Sequence, residues 1–183
     1  DGSWGPEEYT TSEDGTIDLS KLPADTAYIV TELECPGYIV DDAQRIIHLD
    51  GGEQAQFVFT NSKMPSLHLY KESADGTPLG GVTYRLAKIE DGGHYLDRIT
   101  GPDGTITWEG LEPGVYSLVE TATVSDHILD TRKHHVQLFP GRDGTIVLQN
   151  DRRPDLTIHK SDADTGAPVP GTVFLVKGAD GHS

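Results

Sequence analysis

The chain repeats itself at a long period, and that period bounds every other reading. Lys160 follows Lys71 by 89 positions, Asn150 follows Asn61 by 89, and Glu120 follows Glu32 by 88. The surroundings repeat as well. Asp14-Gly15-Thr16-Ile17 answers Asp103-Gly104-Thr105-Ile106, and Leu67-His68-Leu69-Tyr70-Lys71 answers Leu156-Thr157-Ile158-His159-Lys160. Such a period is too long for a solenoid unit and suits a small autonomous domain strung in tandem. Proline-containing joints at Lys63-Met64-Pro65-Ser66 and Arg153-Pro154-Asp155 divide the chain into residues 1–64, 65–154 and 155–183. Short joints of this kind favour a semi-rigid rod. The first unit carries Glu32 and Asn61 without a matching lysine. The second carries Lys71, Glu120 and Asn150, and the third carries Lys160 alone. The expectation is one whole domain between the C-terminal part of one repeat and the N-terminal part of another, a window from a longer protein.

The recurring polar residues fall on an unusual face. Side chains alternate along a strand, so residues two apart point the same way. By that count Lys71 shares a face with Leu67 and Leu69, Glu120 with Tyr116 and Leu118, and Asn150 with Ile146 and Leu148. All three polar groups therefore point into the core. Burying an amine, a carboxyl and an amide is costly unless they meet one another. In contact, they are the groups needed for a side-chain amide crosslink. They also suit a buried Lys71–Glu120 ion pair with Asn150 as a hydrogen-bonded neighbour.

The middle unit reads as all-β. Candidate strands cover residues 66–72, 81–88, 94–99, 105–109, 114–121, 132–139 and 144–150. Asp-Gly and Pro-Gly turn signals separate them, among them Asp75-Gly76, Asp91-Gly92-Gly93, Glu112-Pro113-Gly114 and Arg142-Asp143-Gly144. Short strands at regular spacing indicate a sandwich. Lys71 then lies on the first strand and Asn150 on the last, so a bond between them would join the two ends of the domain.

Composition excludes several classes. The formal net charge of −16 argues against nucleic acid and against anionic membrane surfaces. No apolar run is long enough to span a bilayer. The lone cysteine, Cys35, allows no disulfide within the chain and reads as an ordinary loop residue. A domain of this size with modest hydrophobic content has a thin core, which a covalent clamp would reinforce.

The combined pattern resembles a known family. Leu67-His68-Leu69-Tyr70-Lys71, then Asp103-Gly104-Thr105, then Leu111-Glu112-Pro113-Gly114-Val115-Tyr116-Ser117-Leu118-Val119-Glu120-Thr121, then a closing strand ending in Asn150, is similar to the prealbumin-like domains of Gram-positive pilins and adhesins. Those are the collagen-adhesin B-type and SpaA-type repeats. The resemblance implies tandem seven-stranded immunoglobulin-like β-sandwiches with an internal Lys–Asn isopeptide bond that forms without an enzyme. It assigns the amine to Lys71, the electrophile to Asn150 and the proton-handling acid to Glu120. Glu32, Asn61 and Lys160 are the equivalents in the incomplete units. The chain departs from the family after Thr121, where Ala122-Thr123-Val124-Ser125-Asp126 replaces the usual Ala-Pro-x-Gly-Tyr.

Burial makes the chemistry reasonable. Desolvation lowers a lysine pKa and raises that of a glutamate, giving a neutral amine and a protonated acid. On this reading Glu120 hydrogen-bonds the Asn150 carbonyl and then shuttles protons while ammonia leaves. The reaction runs once, so no enzyme and no cofactor are implied. Other signals carry less. Asp162-Ala163-Asp164-Thr165-Gly166 opens like a calcium loop, but Val173 stands where the closing glutamate belongs, and it reads as a turn. His134 and His135 are adjacent on a strand and point to opposite faces, so they read as surface residues. Trp4 and Trp108 read as packing residues. The functional expectation is a stalk segment of an extracellular, wall-attached adhesin or pilin-like protein. Its partners are neighbouring repeats, with head-to-tail association between copies through Lys160 and Asn61. The rival readings are a module that binds a host protein or glycan, and an accessory sandwich of a secreted enzyme.

Overall fold

The computed structural model describes residues 5–40, 43–91 and 94–178; Trp4 and the Gly92-Gly93 turn lie outside the described residues. The strands are β1 (Thr26–Val30), β2 (Arg45–Leu49), β3 (Leu67–Ser73), β4 (Thr83–Lys88), β5 (Tyr95–Ile99), β6 (Thr105–Trp108), β7 (Gly114–Ala122), β8 (Lys133–Leu138) and β9 (Gly144–Asn150). From β3 onward they follow the spans read from the sequence to within two residues. The alternation of apolar and polar residues drives this outcome, since each strand has one side to bury. Among the described residues the only helical element is a single 3-10 turn, Ile89–Asp91.

Two sheets make the sandwich of the middle segment. One has the order β6-β3-β9 and the other β5-β4-β7-β8. Their facing sides share one apolar cluster. Leu67, Leu69, Ile106, Trp108 and Leu148 come from the first sheet, and Tyr84, Leu86, Tyr116, Leu118 and Leu138 from the second. Trp108 is fully buried, as a packing residue should be.

The first and last strands of the sandwich lie side by side. β3 pairs with β9 in parallel, from Leu67 opposite Gly144 to Ser73 opposite Asn150. Parallel neighbours need a long connection, and here the rest of the domain supplies it. Two glycines permit the close approach. A Cβ on Gly144 would stand 2.6 Å from Leu138 Cδ2 and 3.3 Å from Leu67 Cδ1. Gly104 has φ +74° and its carbonyl accepts the Lys71 N–H at 2.8 Å, while a Cβ there would stand 2.3 Å from the Lys71 oxygen. Lys71 thus has Gly104 against its backbone on one side of the strand and stands opposite Leu148 of β9 on the other.

Outside the sandwich the structure is sparser. β1 and β2 form a two-stranded antiparallel sheet, with Tyr28 its buried residue. The segment joins the sandwich where Gly141 N donates to Lys63 O at 2.8 Å. Residues 156–160, the counterpart of Leu67-His68-Leu69-Tyr70-Lys71 by repeat spacing, lie outside any strand and are exposed. Sequence similarity to β3 is not enough to form a strand where no second sheet covers its apolar side. Asp162 makes a turn of its own, with Oδ1 accepting from Asp164 N at 3.1 Å and Thr165 N at 2.8 Å. This is the turn role expected for the Asp-Gly segment.

Candidate functional site: a buried amine, acid and amide

Strand parity delivers the three polar residues of the middle segment to one point. Lys71 is 1 % exposed, Glu120 3 % and Asn150 2 %. Lys71 Nζ donates to Asn150 Oδ1 at 2.5 Å and lies 3.2 Å from Glu120 Oε2. Asn150 Nδ2 donates to Glu120 Oε1 at 2.7 Å and to Thr123 Oγ1 at 3.0 Å. Each of the three polar groups thus touches the other two. Glu120 differs from expectation in one respect. Its carboxyl meets the amide nitrogen of Asn150, whereas the carbonyl oxygen faces Lys71. The amine donates to the carbonyl oxygen, and the carboxyl oxygen accepts the amide N–H.

Tyr84 completes the cluster. It stands opposite Glu120 in the β4–β7 pairing, beside an irregularity between Thr83 and Tyr84, and its hydroxyl donates to Glu120 Oε2 at 2.9 Å. Burial, and then the neighbouring carboxylate, push the Tyr84 phenol far above its ordinary pKa, so it keeps its proton and donates. Burial also holds the Lys71 amine below its ordinary value of 10.5, although the Glu120 charge works in the opposite sense. Loss of solvent therefore favours the neutral, nucleophilic form of this lysine. Asp130 N adds a long contact of 3.4 Å to Glu120 Oε1. The Asp130 carboxyl is itself held well below the usual range, chiefly by its hydrogen bond from Arg132.

Removing the Tyr84 hydroxyl leaves Glu120 short of a donor inside the core. In a chain carrying Asn150→Ala, Tyr84→Phe should lower the unfolding free energy by roughly 1–3 kcal/mol, the cost of a buried polar group losing its partner. The midpoint of urea unfolding reads this directly, and an unchanged midpoint would remove Tyr84 from the cluster.

The incomplete equivalents are brought together only in part. Asn61 Nδ2 donates to Glu32 Oε1 at 2.5 Å, the same amide-to-acid contact as in the middle segment. Asn61 Oδ1 is buried with no hydrogen-bond partner among the described residues. Lys160 stands apart, exposed, with Nζ on the Ser161 carbonyl at 2.8 Å. The histidine pair behaves differently from expectation. His135 is exposed, but His134 is half-buried and its Nε2 lies 3.2 Å from Asp130 Oδ2, which ties β8 to the loop before it. Cys35 is a half-buried free thiol preceding a turn.

A two-sheet sandwich with terminal strands in parallel and a Lys, Glu and Asn in buried contact near the ends of its strands defines an architectural class. Residues 65–152 match the model of SpaA, described as a prealbumin-like fold domain, and this segment of the chain belongs to that family. Among solved structures, the TIE protein of Bacillus anthracis is 22% identical with a TM-score of 0.50, over 78% of this chain and 28% of that one. The minor pilin GBS52 of Streptococcus agalactiae is 20% identical with a TM-score of 0.44, over 82% of this chain and 69% of that one. A C-terminal fragment of the pilus adhesin SpaC from Lactobacillus rhamnosus GG is 15% identical with a TM-score of 0.48, over 77% of this chain and 81% of that one. The likeness to the Bacillus protein supports the fold, and the chain spans under a third of that protein's length. A comparison with curated protein sequences gives no match.

Proposed function

We propose that the chain is a stalk segment of an extracellular adhesin or pilin-like protein, its middle domain clamped by a Lys71–Asn150 amide that the domain makes for itself. The observation that carries this reading is the buried contact of Lys71 Nζ with the Asn150 carboxamide, with Glu120 touching both. The neutral amine attacks Asn150 Cγ. Glu120 accepts a proton from the amine and returns one to the departing Nδ2, so ammonia leaves and an amide remains. The carboxyl already sits on the leaving nitrogen, which suits it to that second transfer. Tyr84 and Thr123 fix the acid and the amide while water is excluded.

A crosslink between the first and last strands of the sandwich suits a part that bears load. Strands β3 and β9 are neighbours, so the covalent bond lies across the pair that tension on the two ends would separate. Tandem mass spectrometry of a proteolytic digest tests the chemistry. It should find one branched peptide joining the segment around Lys71 to the segment around Asn150. Separate, unmodified Lys71 and Asn150 peptides in quantitative yield would refute it. Stretching of single molecules tests the stalk role: the middle domain should add no length between Lys71 and Asn150 at forces that unfold an Asn150→Ala domain.

A related reading concerns copies of the chain. The unpartnered Asn61 Oδ1 occupies the place of the oxygen that receives the lysine in the middle segment. The exposed segment Leu156–Lys160 carries the sequence pattern that brings such a lysine. We therefore read residues 155–160 of one copy as able to lie beside the Glu32–Asn61 pair of the next, with Lys160 bonded to Asn61. A denaturing gel should show a ladder that survives boiling and vanishes in Lys160→Ala and in Asn61→Ala. A single monomer band at high protein concentration would rule this out.

A further inference from the structure

A second buried polar group lies at the end of the sandwich, and the crosslinking chemistry does not use it. Ser73 is 5 % exposed and His127 4 %. His127 Nε2 lies 3.1 Å from Ser73 Oγ, and His127 Nδ1 lies 2.9 Å from Asp126 Oδ1. Arg152 Nη2 donates to Asp126 Oδ2 at 3.3 Å. The order of groups is that of a nucleophile relay, but the burial of Ser73 keeps a substrate carbonyl from its hydroxyl. The network needs another purpose, because polar groups in a core are tolerated only when they satisfy one another, and then they fix one geometry.

Its position supplies the purpose. Ser73 ends β3 two residues beyond Lys71, directly opposite Asn150 on β9. His127 sits in the middle of the loop between β7 and β8, which crosses this end of the sandwich. Backbone bonds stitch the loop to the chain leaving β9. Ile128 N donates to Asp151 O at 2.9 Å, and Arg153 N donates to Asp126 O at 2.8 Å. The same loop touches the reacting groups on either side of His127. Four residues earlier, Thr123 Oγ1 accepts from Asn150 Nδ2 at 3.0 Å. Three residues later, Asp130 N reaches Glu120 Oε1 at 3.4 Å. A loop held only at its backbone can slide over the sheet end. One anchored in its middle by a buried imidazole cannot.

We propose that Ser73, His127 and Asp126 form a latch that shuts the end of the Lys71–Glu120–Asn150 chamber and sets Thr123 and Asp130 on the leaving amide and the acid. His127 is on this view a positioning residue. It contacts neither the amine nor the amide and acts through the loop it fastens. The effect on crosslinking rests on the amide-forming reading above, whereas the latch itself does not.

Two measurements on the full chain separate the two ideas. In an Asn150→Ala background, where no Lys71–Asn150 bond can form, amide hydrogen exchange reads the latch alone. His127→Ala should speed exchange at Ile128 and Arg153 at least tenfold while leaving Leu86, in the β4–β7 pairing, unchanged. Without the alanine at position 150, chain refolded from urea and followed by intact mass reads the reaction. His127→Ala should slow loss of ammonia at least tenfold. His127→Gln, whose terminal amide can reach Ser73, should recover most of the rate. Unaltered exchange at Ile128 and Arg153 would overturn the latch. Faster exchange with an unaltered rate of ammonia loss would overturn its positioning role. If the parent chain loses no ammonia at all, the amide-forming reading fails while the exchange comparison still decides the latch. Should His127→Ala not fold, Ser73→Ala, which removes the hydroxyl that holds the imidazole, carries the same two measurements.

Discussion

If the Lys71–Asn150 amide forms as proposed, Glu120→Ala is expected to leave a folded domain that does not make it. The carboxyl gives no atom to the product, yet it is the group in contact with both the amine and the leaving nitrogen. Without it the proton on Lys71 has nowhere to go within the chamber, and ammonia must leave unassisted. General acid–base help of this kind is worth about 10²–10⁴ in rate. The same change removes the partner of a lysine that is 1 % exposed. Breaking a buried pair from one side costs about 3–5 kcal/mol. Stability and crosslinking should therefore fall together, and Glu120→Gln separates them. The amide keeps one acceptor oxygen, for Tyr84 or for Asn150, but cannot shuttle protons. It should retain more of the fold and no more of the reaction. Normal ammonia loss in either variant, followed by intact mass during refolding, would remove Glu120 from the proton-transfer role.

Asn150→Ala should have the largest effect on stability, greater than the loss of its hydrogen bonds accounts for. The proposed amide would close a loop of 79 positions, from Lys71 to Asn150. Chain-entropy arguments give about 4–5 kcal/mol for a closure of that length. Losing the amide contacts to Glu120 and Thr123 adds roughly 1–3 kcal/mol. For a small domain each kcal/mol moves the melting temperature by about 4–8 °C. A fall of roughly 20 °C or more is therefore expected for the middle domain, with faster tryptic cleavage at matched temperature. Scanning calorimetry checks the first and a timed digest the second. A shift of only a few degrees would mean that no covalent bond was lost.

The fold of the middle segment was legible because its signals are local. Alternation in Leu67-His68-Leu69-Tyr70-Lys71 marks both a strand and its inward side, and Asp-Gly turns mark where strands stop. The same parity placed Lys71, Glu120 and Asn150 together, since three inward polar residues on three strands have only one another to meet. It also held a clue to Tyr84, which is in phase with Val82 and Leu86 and so faces inward with a hydroxyl that needs a partner. Strand order was not legible in this way. Nothing in the sequence says that β3 lies beside β9 or that Tyr84 lies opposite Glu120, because pairing across the sheet depends on contacts far apart in the chain. The loop from Thr123 to Asp130 was opaque for a related reason. Its side chains follow no period, and His127 is buried only because the ends of β3 and β9 happen to converge beneath it. Glu120 meets the nitrogen of Asn150 and the lysine its oxygen. The flanking segments show the limit of reasoning from repeats. Residues 156–160 share the alternating pattern of β3 but lack the sheets that make β3 a strand.

The mass of the intact, folded chain bears most directly on the central claim. A chain that has made the Lys71–Asn150 amide weighs less than its sequence by the mass of one ammonia, and the deficit disappears in Lys71→Arg and in Asn150→Ala. A mass equal to that of the sequence, measured on protein shown by circular dichroism to be folded, would contradict the account and leave the three residues as a buried ion pair with an amide neighbour.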